Sequence, residues 1–571
     1  MRSHRRRATA PSRARYCGGP LHPAVPDLLC AEPAVRVEVS ALRTALVFAF
    51  AAGGAPEVFD EAIAGARLPA STWDRSDFAR DVYLDDLVSR CLPVRIGGNA
   101  FPACTRYIAR VLAEPPRARA DVETRRAVLA ELASSGERRG ELEKVYLSIV
   151  RLRALLCTAR ALSQRGRRVE VLRAAREVFE TLAGSFDGAT SALSRLRAFG
   201  AEVVAGEAHG RLVQLLDHDE HQGSLDLRVR VGADGEVRAM QIVGVREDTS
   251  NPFHVGAFQR FLTRILLFFR GWRTTRDEVA ERLLSEVFAG IEEPVAQLFQ
   301  ILGDIEPYLA SLCLRDRASA EGLAMSLPEL VDRGAHAPSA APAPGGMALE
   351  GLFNPLLLAA GVHPIACDVR AAPGAVVLVT GPNSGGKTRL LQAIAIAQTF
   401  AEAGLFVPVR AGRILRAPGL FASLYEEPRP DAPEGHLGME LLRIRRLFDQ
   451  LDVGAIVVLD ELCSGTNPSE GEEIARLVLS LLPELGVQAF VTTHLLQFAA
   501  RLAQERSTGA HGVAEIDFLQ VELDELERPT YRFVSGVAKT SLAAKTAARL
   551  GVTREELLER IESKKRSRGE A

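Results

Sequence analysis

The stretch from Gly381 to Thr388, "GPNSGGKT", constrains this chain more than any other, because it fits the pattern G-x-x-x-x-G-K-[ST] without a gap. Strand-forming residues, Val376 to Thr380, precede it, and an amphipathic helical pattern follows. Strand, glycine turn and helix together read as a phosphate-binding loop. Gly381, Gly385 and Gly386 free the backbone to turn successive amide N–H groups inward at a helix N-terminus, where they cradle phosphate oxygens. Lys387 then supplies a point charge to the β- and γ-phosphates, and Thr388 a hydroxyl to Mg2+. The candidate nucleotide ligands are Gly381, Pro382, Asn383, Ser384, Gly385, Gly386, Lys387, Thr388 and Arg389, and the expected cofactors are ATP and Mg2+.

About seventy residues later, "GAIVVLDELCSGTNPSEGEEIARLVLSLL" opens with an apolar strand, Ala455 to Leu459, ending at Asp460-Glu461. At a strand tip, Asp460 is suited to hold Mg2+ through water, and Glu461 to orient or deprotonate an attacking water. A third apolar strand, Val487 to Thr493, ends at His494, whose imidazole can donate to a γ-phosphate. All three features sit at the C-terminal ends of expected parallel strands, where such sheets bind ligands.

The rest of the chain sets the limits. Its 571 residues, 47% hydrophobic and 25% charged, allow two to four domains with large cores. A net charge of −2 argues against a wholly basic nucleic-acid coat, though a local basic face fits within it. The eight cysteines show no C-x-x-C pair and read as free thiols in a reducing compartment. "ALVFAFAA", Ala45 to Ala52, is too short to span a bilayer, so a cytoplasmic protein with no membrane partner is expected.

Residues 1–44, basic and rich in turn formers at their start, are expected to form a disordered arm. Residues 45–334 read as a mostly helical region, with apolar residues recurring at three and four. One interruption, "SLDLRVRVGADGEVRAMQIVGV" near 224–245, alternates Leu225, Leu227, Val229 and Val231 with charged residues about a glycine turn, which predicts a β-hairpin. Arg228, Arg230 and Arg238 on it read as a solvated face in preference to a phosphate-facing one. "HDEHQ", His218 to Gln222, lacks further ligands at metal spacing and reads as a solvated loop. Residues 335–347 are a Pro/Ala/Gly linker, 348–555 a nucleotide-binding domain, and 556–571 a basic, solvated tail.

Taken in order, "TGPNSGGKT", "AEAGLFVPV", "LDELCSGTNPSEG" and "TTH" resemble the ATPase domain of the MutS mismatch-repair family over about Leu349 to Glu555. The resemblance implies an α/β ABC-type P-loop ATPase domain preceded by a mostly α-helical core and lever domain with a small β-hairpin insertion. It implies Thr388 and Asp460 as metal ligands, Glu461 and His494 as catalytic residues, and a signature loop, Ser464, Gly465, Thr466 and Asn467, reaching across a homodimer to the partner's nucleotide. Asn467 stands where family members often carry serine, and "EGHLGMEL", Glu434 to Leu441, replaces the usual Ser-Thr-Phe pattern of the loop coupling nucleotide state to the levers. "YRFVSGVAKTSLAAKTAARLGV", Tyr531 to Val552, resembles the family's dimer-supporting helices.

In the family a Phe-x-Glu motif wedges a base. Phe59-Asp60-Glu61 matches those three letters, but so does Phe400-Ala401-Glu402, and chance accounts for both. The reading that follows is a MutS-like DNA-binding ATPase, coupling Mg2+-dependent ATP hydrolysis to clamp-like movement on mismatched, branched or damaged DNA. The alternative is a nucleotide-switched structural protein that has lost DNA binding. A transporter ATPase fits less well, since no LSGGQ signature occurs.

Overall fold

The computed structural model describes residues 24–158, 164–220, 224–231, 237–246, 276–332, 346–424, 436–463, 467–508, 515–539, 550 and 552–569. Its first half is built from helices whose apolar residues fall on one stripe. In Gly136–Cys157 the buried positions Leu142, Val145, Tyr146, Ile149, Leu152 and Leu156 recur at three, one, three, three and four, and Ser135 caps the start by accepting from Arg138 N. The spine of this half is the helix Arg276–Ala320, 45 residues and about 68 Å at 1.5 Å per residue, with Pro294 and Pro307 inside it. From Leu298 to Leu314 it is buried on nearly every face, as expected of a helix surrounded by others.

Strands punctuate this helical half twice. β1 (Val94–Ile96) and β2 (Asn99–Phe101) form a tight hairpin around Gly97 and Gly98, both in the left-handed region that such a two-residue turn demands. β3 (Ser224–Val231) and β4 (Val237–Arg246) pair antiparallel, so the hairpin expected near 224–245 forms. His221 and Gln222 of "HDEHQ" lie outside the described residues.

The second half holds two sheets. β5 (Glu329–Val331), β6 (Met347–Leu352), β7 (Cys367–Ala371) and β9 (Ala411–Leu415) form one, ordered β5-β9-β6-β7. The other contains β8 (Val376–Thr380), β10 (Leu420–Ser423), β11 (Ile456–Leu459), β12 (Gln488–Thr492), β13 (Ile516–Leu523) and β14 (Pro529–Ser535), ordered β10-β11-β12-β8-β13-β14. All its neighbours run parallel except β13 with β14. Its central strands β8, β11 and β12 are buried on both sides and are largely apolar runs whose side chains split by alternation. Val377 and Val379 join the core shared with the helical half, while Val376 and Leu378 join the core under Pro468–Leu481 and Leu496–Ser507.

Three expectations about boundaries are corrected. The arm at 1–44 is not disordered from residue 24 onward. Asp27 accepts from Leu29 N at 2.8 Å and Ala34 N at 3.1 Å, and Arg36 lies between Asp27 and Asp304 of the long helix while donating to Tyr107 Oη at 2.7 Å. Basic composition concealed a segment whose charge is neutralised inside the core; residues 1–23 lie outside the described residues. The division at 335 also moves. β5, upstream of the linker, pairs parallel with β9, so the nucleotide-side sheet begins before the proline-rich stretch, of which residues 335–345 are not among those described. Finally, the segment from Tyr531 begins as strand β14, with Phe533 turned inward, and not as a helix. The basic tail falls in the helix Arg554–Gly569, whose described side chains are exposed or half-buried.

Among the described residues no helix is long and apolar enough to cross a membrane. Phe59 is buried in Pro56–Ala64 and stacked on Phe299 at 4.6 Å, so it is a core residue, as is the buried Phe400.

Candidate nucleotide site

Sheet order places the candidate residues. β12 lies between β11, which carries the acids, and β8, which carries the phosphate loop. Their C-terminal ends therefore face one cleft.

Within the loop the glycines do different jobs. Gly381 has φ 149°, and a Cβ there would come 2.5 Å from Val521 Cγ2. Gly386, at φ 90°, caps the helix Lys387–Ala403. Gly385 is not in the left-handed region; it is needed for room, since a Cβ would sit 2.9 Å from Pro382 O. Ser384 instead carries a left-handed φ of 64°. Lys387 is buried, and its ammonium donates to Gly381 O at 3.1 Å and Pro382 O at 3.2 Å. Burial lowers its pKa, and the carboxylates of Glu461 and Asp460 work against that.

Thr388 Oγ1 donates to Asp460 Oδ2 at 2.5 Å. The other carboxylate oxygen, Oδ1, accepts from Thr492 Oγ1, also at 2.5 Å, and that same hydroxyl accepts from Glu461 N at 2.8 Å. One buried threonine hydroxyl thus orients both acids. Glu461 is exposed and left-handed at φ 52°, which turns it out of the strand line at the sheet edge.

These residues fit the expected group. A hydroxyl and a carboxylate in contact form an all-oxygen donor set suited to Mg2+, which takes one or two protein ligands and completes its shell with phosphate and water. Among the described residues no cluster of three or more His, Cys, Asp or Glu is placed to hold a metal.

The remaining candidates are placed less tightly. Asn383 is exposed, and Arg389 donates to Gln392 Oε1 at 2.9 Å along its own helix. His494 lies two residues beyond β12, exposed, with its carbonyl accepting from Leu496 N at 2.9 Å. Asn467 caps Pro468–Leu481 by accepting from Ser469 N at 3.3 Å, while Ser464, Gly465 and Thr466 lie outside the described residues. Sequence reasoning missed Thr492. The signal was there, a hydroxyl closing an apolar strand one position before Thr493-His494.

Known proteins match this part of the chain. The model of MutS domain V matches residues 377–566, a span containing the phosphate loop, both acids and Thr492. Over this span the chain is similar to the MutS family. It is 30% identical over 293 residues to a protein of Thermus thermophilus described as endonuclease MutS2, covering 51% of this chain and 36% of that one. A protein of the same description from Thermomicrobium roseum is 29% identical over 368 residues, 61% of this chain and 44% of its own. One from Lactiplantibacillus plantarum is 32% identical over 177 residues. The chain thus spans less than half the length of these curated relatives.

Proposed function

We propose that the chain is a DNA-binding ATPase of MutS type, which hydrolyses ATP with Mg2+ and couples hydrolysis to clamp-like movement of its helical half on mismatched, branched or damaged DNA. The observation that carries the reading is the Thr388–Asp460–Thr492–Glu461 constellation at the mouth of a phosphate loop. Lys387 and the loop amides would hold the β- and γ-phosphates, and Thr388 and Asp460 the cation. Mg2+, when bound, neutralises charge on the phosphates. Glu461, at the strand tip, would orient or deprotonate the attacking water, and His494, two residues beyond β12, would donate to the γ-phosphate. The strand order, with one strand between phosphate loop and acids, supports the ABC-type layout.

The working form in this reading is a cytoplasmic homodimer in which Ser464, Gly465, Thr466 and Asn467 complete the partner's nucleotide site. Affinity for DNA comes from phosphate contacts and duplex shape rather than from a base wedge, since Phe59 is packed in the core. The description of the relatives as endonucleases supports a nucleic-acid substrate.

Two measurements test this. Glu461→Gln should keep ATP binding and lose most turnover, whereas Lys387→Ala should weaken nucleotide binding itself; wild-type turnover in Glu461→Gln would remove the assigned role. Anisotropy titrations with homoduplex, mismatched and four-way DNA, with and without ATP, should show salt-dependent binding that is tightest for the four-way junction. Absence of DNA binding at low salt would leave the nucleotide chemistry and discard the DNA.

A further inference from the structure

Helix His436–Gln450 packs Leu447 into the core shared with β11, and two of its side chains, Arg443 and Glu440, hydrogen-bond to main-chain atoms just past that strand. Arg443, largely buried, donates from Nε to Ser423 Oγ at 2.8 Å and from Nη2 to Ser423 O at 2.8 Å and Asp460 O at 3.1 Å. One guanidinium therefore ties together the last residue of β10 and the first residue past β11. Asp460 N already donates to Ser423 O at 2.9 Å, so the Mg2+-site aspartate is held by its backbone from both sides. Glu440, one turn earlier on the same helix and buried, pairs with Arg443 at 3.5 Å and accepts from Cys463 N at 3.0 Å, at the entrance to the signature loop.

β10 is also gripped from the helical half. Thr72 Oγ1 donates to Pro418 O at 2.5 Å and Trp73 Nε1 to Ala417 O at 3.0 Å, just before the strand. Asp81 accepts from Leu424 N at 2.6 Å, just after it. A displacement of residues 72–81 is thereby a displacement of Ser423, and Ser423 carries the hydrogen bonds that locate Asp460.

On the footing of the ATPase reading above, we propose that Arg443 and Asp81 are positioning residues for the cation-bound nucleotide: Arg443 fixes the Asp460 backbone to β10, and Asp81 fixes β10 to the helical half. Neither side chain belongs to the phosphate loop or to the Thr388–Asp460 pair. Arg443 suits the task because a planar guanidinium with five donors serves three acceptors at once, which an ammonium on a flexible stem does less rigidly.

The test reads nucleotide binding rather than turnover. A fluorescent ATP analogue is titrated into the full chain with EDTA and with Mg2+, and the ratio of the two Kd values measures how well the site accepts the cation. Arg443→Gln should lose about fivefold or more of the Mg2+-dependent tightening, about the weight of one hydrogen bond, while metal-free affinity stays within about twofold. Arg443→Lys should recover part of it. Asp81→Ala should shift the ratio in the same direction, and Asp81→Asn, which keeps an acceptor for Leu424 N, should not. An unchanged ratio in Arg443→Gln, or parallel loss of both affinities, overturns the proposal; if that variant does not fold, an unchanged ratio in Arg443→Lys together with Asp81→Ala does so. If the unsubstituted protein binds nucleotide no tighter with Mg2+, the ATPase reading itself falls, and this one with it.

Discussion

Replacing Thr492 by valine keeps the shape of a buried side chain and removes a single hydroxyl. That hydroxyl donates to Asp460 Oδ1 at 2.5 Å and accepts from Glu461 N at 2.8 Å, so two hydrogen bonds go with it. A bond to a charged group contributes about 1.5–3 kcal/mol and a neutral one about 1 kcal/mol. The neutral bond falls mainly on folding, because it holds Glu461 in a left-handed conformation that costs about 1–3 kcal/mol to maintain. The charged bond falls on the site, since among the described residues Thr388 is the hydrogen-bond partner left to the carboxylate without it. Turnover of MgATP should therefore drop by about 10–100-fold, equivalent to about 1.4–2.7 kcal/mol. Metal-free nucleotide affinity should stay within about twofold. Phosphate release measured across Mg2+ concentrations, with thermal unfolding alongside, gives both quantities. Thr492→Ser, which restores the hydroxyl, should return to within about threefold of the unsubstituted rate. A valine variant that turns over at more than about half that rate would refute the assignment of Thr492 as the orienting group.

Mixing a Lys387→Ala protein with a Gly465 or Thr466 variant under conditions of subunit exchange should rebuild one composite site per heterodimer, and no recovery of ATPase activity would count against the trans arrangement. Phe59→Ala should destabilise the helical half by about 3–5 kcal/mol, the usual loss for a buried aromatic, and leave the preference for a single mismatch over homoduplex below about threefold. A tenfold or larger mismatch preference that disappears in this variant would reinstate Phe59 as a base reader. Glu306 is buried on the long helix and its carboxyl is pushed up to about 8, chiefly by desolvation, against a hydrogen bond from Cys104 N that pulls the other way. The folded chain then keeps this proton after the unfolded chain has released it, so stability falls as pH rises from the ordinary glutamate range to about 8. Glu306→Gln should accordingly raise the melting temperature more at pH 8.5 than at pH 4.5, and equal shifts by calorimetry at both would contradict the burial argument.

The phosphate loop and the acid pair were legible because their chemistry forces particular residue types into short contiguous spacings. Even there, spacing concealed how the work divides. Gly385 is a matter of room, and the left-handed turn belongs partly to Ser384. What could not be read were contacts distant in sequence. Arg36 looks like one more arginine in a basic leader, yet its partner Asp304 lies 268 positions away. Arg443 and Asp81 carry no local signature, since the bonds by which they hold Asp460 and Leu424 go to main-chain atoms, which every residue possesses. The β1–β2 hairpin escaped notice because strands of three residues are too short for alternation to show. The apolar strands β8, β11 and β12 were found with ends correct to within a residue or two, since burial on both faces leaves a short, largely apolar run.

β5 gives the proline-rich stretch an unexpected bearing on how this protein can be divided. A recombinant piece beginning at Gly346 would contain every nucleotide ligand, yet would leave β9 without its neighbour along Arg413 to Leu415. It would also break the two main-chain bonds between Ser326 and Val407, at 3.1 and 2.8 Å. Such an open strand edge invites self-association. Protease cleavage between Asp332 and Gly346, by contrast, should leave two polypeptides that travel together on a sizing column, because the sheet and not the covalent chain holds them. The sheet beside the nucleotide site therefore draws on the chain from Ser326 onward, on the far side of what sequence alone marks as the seam.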